Sequence, residues 1–150
     1  MSTDKQRLQF FEQLLAKSNA KTPLFKGRKP NGSDNWVSST NNIILYGHFN
    51  YRITLKDSLV EFYLTHDDPK TNQRRHEILK RKKTEIENIF GESLVWGEYT
   101  AEKVQRKIQS KRKPGGIADD GKWSEIQDDL ANRMVRFEKA LHDFLMEMKD

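Results

Sequence analysis

"HFNYRITLKDSLVEFYL", residues 48–64, decides how the rest of the chain is read. Phe49, Tyr51, Ile53 and Leu55 alternate with His48, Asn50, Arg52 and Thr54, and a period of two belongs to a half-buried strand. Lys56-Asp57 reads as a turn, and Leu59 to Leu64 as the returning strand with Val60, Phe62 and Leu64 on one side. The stretch is a β-hairpin, so the helices around it must cover its apolar face.

Upstream, residues 4–18 read as a helix. Thr3 and Gln6 have capping-box spacing, and Leu8, Phe11, Leu14 and Leu15 recur on one face. Residues 19–41 hold Pro23, Gly27, Pro30 and Gly32 and read as a long loop, whose Leu24, Phe25 and Trp36 should pack onto the body of the domain. Downstream, Asp68-Pro69 is a strong helix start, and Gly91 stands where a helix ends. Between them Leu79, Lys82, Ile86 and Phe90 share a face. The stretch 66–90 holds seven bases but also five acids, so it reads as an amphipathic helix with a solvated outer side.

Two more strands are expected at 94–99, around Trp96, and at 104–110. Residues 110–121, SKRKPGGIADDG, read as a flexible basic loop. From Trp123 a stripe of Ile126, Leu130, Met134, Phe137, Leu141, Phe144 and Met148 marks a last helix of about 37 Å. Such a stripe covers a sheet; pairing with a second copy, as a homodimer, is the alternative use. The expected fold is α+β, a mostly antiparallel sheet of about four strands packed with N-terminal, central and long C-terminal helices, in a single domain over 1–150.

The 150 residues are enough for a self-sufficient core, with about 68–70% of the unfolded surface buried at this size. Cysteine is absent, which removes disulfides, thiol nucleophiles and thiolate metal sites. The start lacks the apolar core of a signal peptide, and Ile43-Ile44-Leu45 is far too short to span a bilayer. A cytoplasmic protein without a membrane partner is expected.

The net charge of +5 is unevenly spread. Residues 21–29 hold four bases and no acid, and 103–113 hold six bases; from 117 onward there are five bases against nine acids. Clustered cations in two loops imply contact with a polyanion such as DNA or RNA. The residues expected to make it are Lys26, Arg28 and Lys29 from one loop and Lys107, Lys111, Arg112 and Lys113 from the other. Phe25, Trp36, Tyr46 and Tyr51 are available for stacking.

Catalysis finds less support. His66, Asp67, Asp68 and His76 lack metal-ligand spacing, so no metal or cofactor is expected. A metal-dependent nuclease needs Asp/Glu-x-Lys on a strand, yet Asp68-Pro69-Lys70 opens a helix and Glu147-Met148-Lys149 closes the chain. An enzyme would need an unfamiliar site around Glu61, Glu98 and Arg106. Glu61 and Arg106 instead sit between apolar neighbours, so a mutual ion pair across the sheet is expected.

"FFEQLLAKSNAKTPLF", then Asp34-Asn35-Trp36, "SLVEFYL" and "MVRFEKAL" together resemble an uncharacterised bacterial and archaeal domain family of unknown function. Its members commonly occur downstream of a restriction-endonuclease-like module, or alone. The positions carried over are Phe11, Leu14, Pro23, Leu24, Phe25, Trp36, Glu61, Trp96, Arg106 and Glu138, most of them packing positions. The basic loop at 109–121 departs from the pattern. The resemblance implies a non-catalytic accessory domain linked to DNA restriction or phage defence, with a separate nuclease or other protein as partner. The alternative is a protein-interaction module acting through the C-terminal helix.

Overall fold

A computed structural model describes residues 2–40, 46–97 and 106–149. The hairpin is its centre: β2 (Gly47–Ile53) pairs antiparallel with β3 (Asp57–Leu64), Asn50 opposite Glu61 and His48 opposite Tyr63. Around it come α1 (Ser2–Asn19), β1 (Trp36–Ser38), α2 (Pro69–Lys80), α3 (Lys83–Phe90), β4 (Leu94–Val95), β5 (Lys107–Ser110), β6 (Lys113–Pro114) and α4 (Trp123–Glu147). The sheet runs β1-β2-β3-β5-β4, and β6 pairs with the start of β3. Every described pairing is antiparallel.

Among the described residues six strands replace the expected four or so. The extra ones, β1 and β6, lie in segments read as loops. They have three and two residues, too few for a period of two to show. The turn also differs from the expected Lys56-Asp57. It is held by the Thr54 N–H donating to the Asp57 carbonyl at 2.8 Å, which leaves Leu55 in the turn and 51% exposed. The strand residues expected at 98–99 and 104–105, and Glu98 with them, lie outside the described residues.

One face of the hairpin is apolar. Phe49, Tyr51, Ile53, Val60, Phe62 and Leu64 are buried against Phe10, Phe11 and Leu14 of α1 and the α4 stripe. Phe137 of α4 meets Phe49 edge-on at 5.7 Å and Phe90 of α3 at 5.6 Å. Each such side chain contributes about 1.5–3 kcal/mol through burial. Leu24 and Phe25 pack onto the body as expected, Phe25 stacked on Tyr51 at 4.6 Å, but Trp36, expected to do the same, is exposed on β1.

The single helix expected from Pro69 to Phe90 breaks at Arg81-Lys82. Residues 80–83 are four consecutive cations, so the middle turn has no apolar side chain to hold it against the core. Asp68 caps α2 through the Lys70 N–H at 3.2 Å and the Thr71 hydroxyl at 3.0 Å. Those bonds hold its carboxyl below the usual range. Gly91, at φ 99°, closes α3 in the left-handed region.

Among the described residues no helix is long and apolar enough to cross a membrane.

Candidate functional site

The same alternation that buries one face of the hairpin leaves the other polar, apart from the buried Leu59. Trp36 and Ser38 of β1, His48, Asn50 and Arg52 of β2, and Glu61 and Tyr63 of β3 line a cleft of about 460 Å³ with Thr65 and Lys107. Gly47 lets the strands close at its end, because a Cβ there would lie 2.1 Å from the Tyr63 carbonyl oxygen.

Glu61 lies in the floor, fully buried. Its carboxylate collects the Asn50 amide N–H at 2.8 Å and the Gln109 amide N–H at 2.8 Å, with the Arg52 guanidinium at 3.4 Å. Asn50 in turn accepts the Ser38 hydroxyl at 2.7 Å. The expected pairing of Glu61 with Arg106 is therefore corrected. Arg106 stands just before β5, places its guanidinium 5.9 Å from the Tyr63 ring centroid, and donates to the His66 carbonyl at 3.4 Å. A turn of four residues, 54–57, puts Asn50 opposite Glu61 and Arg52 on the diagonal, so the hairpin meets the charge from within.

Two aromatic rings rise beside this floor. Trp36 is 42% exposed with the Arg52 guanidinium 5.7 Å from its ring centroid. Tyr63 carries Arg106. The other aromatics offered for stacking are unsuited: Phe25 and Tyr51 are buried in the core, and Tyr46 is half-buried under Arg75 at 4.7 Å. Tyr51 bonds the Ser18 hydroxyl at 2.9 Å, and burial pushes its phenol pKa upward.

Arg28 donates to the Ser39 carbonyl at 2.9 Å, beside the β1 edge. Burial first, and Arg28 second, hold the His48 imidazole below its ordinary pKa, so it is neutral at pH 7. Across the sheet His76 of α2, fully buried, bonds the Lys107 carbonyl at 3.1 Å and meets Trp96 edge-on. Burial dominates there too and lowers its pKa.

The basic residues divide into two groups. Ser39 lies level with Phe49, Phe62 and Ile108, so Arg28 and Lys107 flank one end of the cleft, with Lys26 and Lys29 exposed next to Arg28. Lys107 pairs with Tyr63 and Lys113 with Ser58, five residues and therefore about 17 Å apart along β3. At that far end Arg112 meets Asp57 at 3.2 Å and Lys113 meets Glu92 at 3.6 Å, while Lys111 is exposed. A larger hollow of about 610 Å³ adjoins them, but Lys56, Lys113 and Lys122 there face Asp119, Glu125 and Asp129, which cancels their field.

Of the family positions, Trp96 donates its indole N–H to Glu87 at 3.2 Å, and Glu138 meets His142 at 3.3 Å on the surface of α4. Pro23 sits in a turn where its carbonyl accepts the Lys26 N–H at 3.1 Å. Among the described residues no three His, Asp or Glu stand close enough to hold a metal ion. The sequence reading passed over Ser38, His48, Asn50, Arg52, Tyr63 and Gln109 as site residues. For His48, Asn50, Arg52 and Tyr63 the signal was the second half of the hairpin alternation, polar or aromatic except at Leu59; Ser38 and Gln109 lie on the neighbouring strands.

A family model described as Domain of unknown function (DUF4268) matches residues 6–145. Neither a curated protein nor a solved structure matches the chain.

Proposed function

The chain belongs to the DUF4268 family, a domain of unknown function, and within it we propose a non-catalytic accessory role: holding nucleic acid on the open face of the sheet. The observation that carries this reading is the charge arrangement of the cleft. Arg52 and Lys107 line the cleft with one carboxylate, Glu61, which Asn50, Gln109 and Arg52 already satisfy, while Arg28 at the Ser39 carbonyl and Arg106 beside Tyr63 stand at its edges. The surplus is positive, and Lys26 and Lys29 extend it outward. Lys111, Arg112 and Lys113 serve the ligand less, since two of them are paired with acids at the other end. A setting in DNA restriction or defence, beside a separate nuclease, is supported by the resemblance of the packing motifs. Acting as a protein module or homodimer through α4 has little surface to draw on, because its stripe from Ile126 to Leu145 is buried within the chain.

Titration with labelled DNA at 50 and 200 mM salt tests the reading. Affinity should fall with salt at a log–log slope of about 0.9 per phosphate contacted on a duplex. Replacing Lys26, Arg28 and Lys107 together by Ala should cut that slope by about two to three, whereas Lys111, Arg112 and Lys113 replaced together should change it by less than about one. Absence of binding at low salt overturns the proposal, and strand cleavage with magnesium would establish the enzyme reading instead.

A further inference from the structure

We infer that the occupant of the cleft is a single strand whose bases lie against the sheet, an inference that rests on the nucleic-acid reading above. Trp36 and Tyr63 carry it. Register makes Trp36 level with Arg52 and Leu59, four residues along β3 from Tyr63 and two strands away. The two positions therefore stand about 16 Å apart along the backbone sheet, on a diagonal across the cleft. Each has a guanidinium beside it, Arg52 for Trp36 and Arg106 for Tyr63. Aromatic rings on an open sheet face, flanked by cations, stack unpaired bases because every base has a π-face.

The centre of the cleft sorts the two parts of a nucleotide. Ser38 and Asn50 offer uncharged polar groups there around Glu61, and His48 and Thr65 add more toward the end marked by Lys107. A phosphate over Glu61 would meet a like charge at close range, while a neutral base would not. Phosphates are thus directed to the rim, to Arg28 at the β1 side and Lys107 on β5. These two sit three strand spacings apart, about 14 Å. A duplex hides its base faces and can offer the rim only its phosphates, so it gains nothing from Trp36 or Tyr63.

The full chain is titrated with oligothymidylate, with oligouridylate, with a backbone of the same length carrying abasic sites, and with a duplex of that length, all at one salt concentration. At least one of the two base-bearing strands should bind about tenfold or more tighter than the abasic strand and the duplex, because stacking of two bases together is worth more than that factor. The two base-bearing strands decide between DNA and RNA. Binding should quench tryptophan emission, and Trp36→Ala, at an exposed position, should remove the quench and most of the tenfold preference. Tyr63→Ala should lower affinity for the bound strand about tenfold while leaving abasic binding within about twofold. If the abasic strand or the duplex binds as tightly as the base-bearing strands, base stacking is overturned and a phosphate-only nucleic-acid contact stands. If no strand binds, the underlying reading falls as well.

Discussion

Glu61 shows how a single buried carboxylate can organise a surface. Three donors converge on it, and all three become orphans if it is removed. Glu61→Ala should cost about 3–5 kcal/mol, read as a lower midpoint in urea unfolding, because the Arg52 charge and two amides lose their acceptor. Glu61→Gln should cost less, since one side of the new amide can still accept. Burial of Glu61 was legible in the sequence from its place among apolar strand residues. Its partners were not. They follow from where the turn falls, and a hairpin turning on Lys56-Asp57 would have set Glu61 opposite Arg52 rather than Asn50. Moving the turn by a single residue re-pairs every polar side chain on the open face.

At the scale of elements, α2 depends on buried polar contacts more than on an apolar stripe. Its buried residues are Thr71, Asn72, His76 and Leu79. Asn72 accepts the His66 N–H at 2.9 Å and donates to the His66 carbonyl at 2.7 Å, while His76 reaches Lys107 on β5. His76 has a folded pKa below its ordinary value, so the unfolded chain takes up a proton first. Its contribution is complete above pH about 6.5 and falls as pH drops from there toward the lower folded value. Unfolding followed at pH 7.5 and 5.5 should show lower stability at 5.5, and His76→Gln should flatten part of that slope. His48 acts in the same direction and should keep the remainder. The long amphipathic α4 was legible because its stripe repeats over many turns. The break after α2 was not, because a cationic run and a solvated helical turn look alike until the core shows which positions it reaches.

Over the whole molecule, net positive charge alone said little about where a polyanion would lie. The strand order was needed to show that one basic loop stays with the cleft while the tip of the other is carried to the far end. The first helix is also bound to the last. Lys17 donates to Ser124 at 3.0 Å and meets Asp128 at 3.0 Å; Gln127 reaches the Phe10 carbonyl at 3.2 Å; Trp123 stands edge-on to Phe10 at 5.5 Å. A chain ending at Lys122 should therefore lose its cooperative thermal transition in calorimetry, since Phe10, Phe11 and Leu14 would lack their cover. On the ribosome the consequence is a delay. Within this domain, the helix made earlier cannot bury its greasy side until the later one has emerged, so the segments between them must wait without their cover in the company of chaperones.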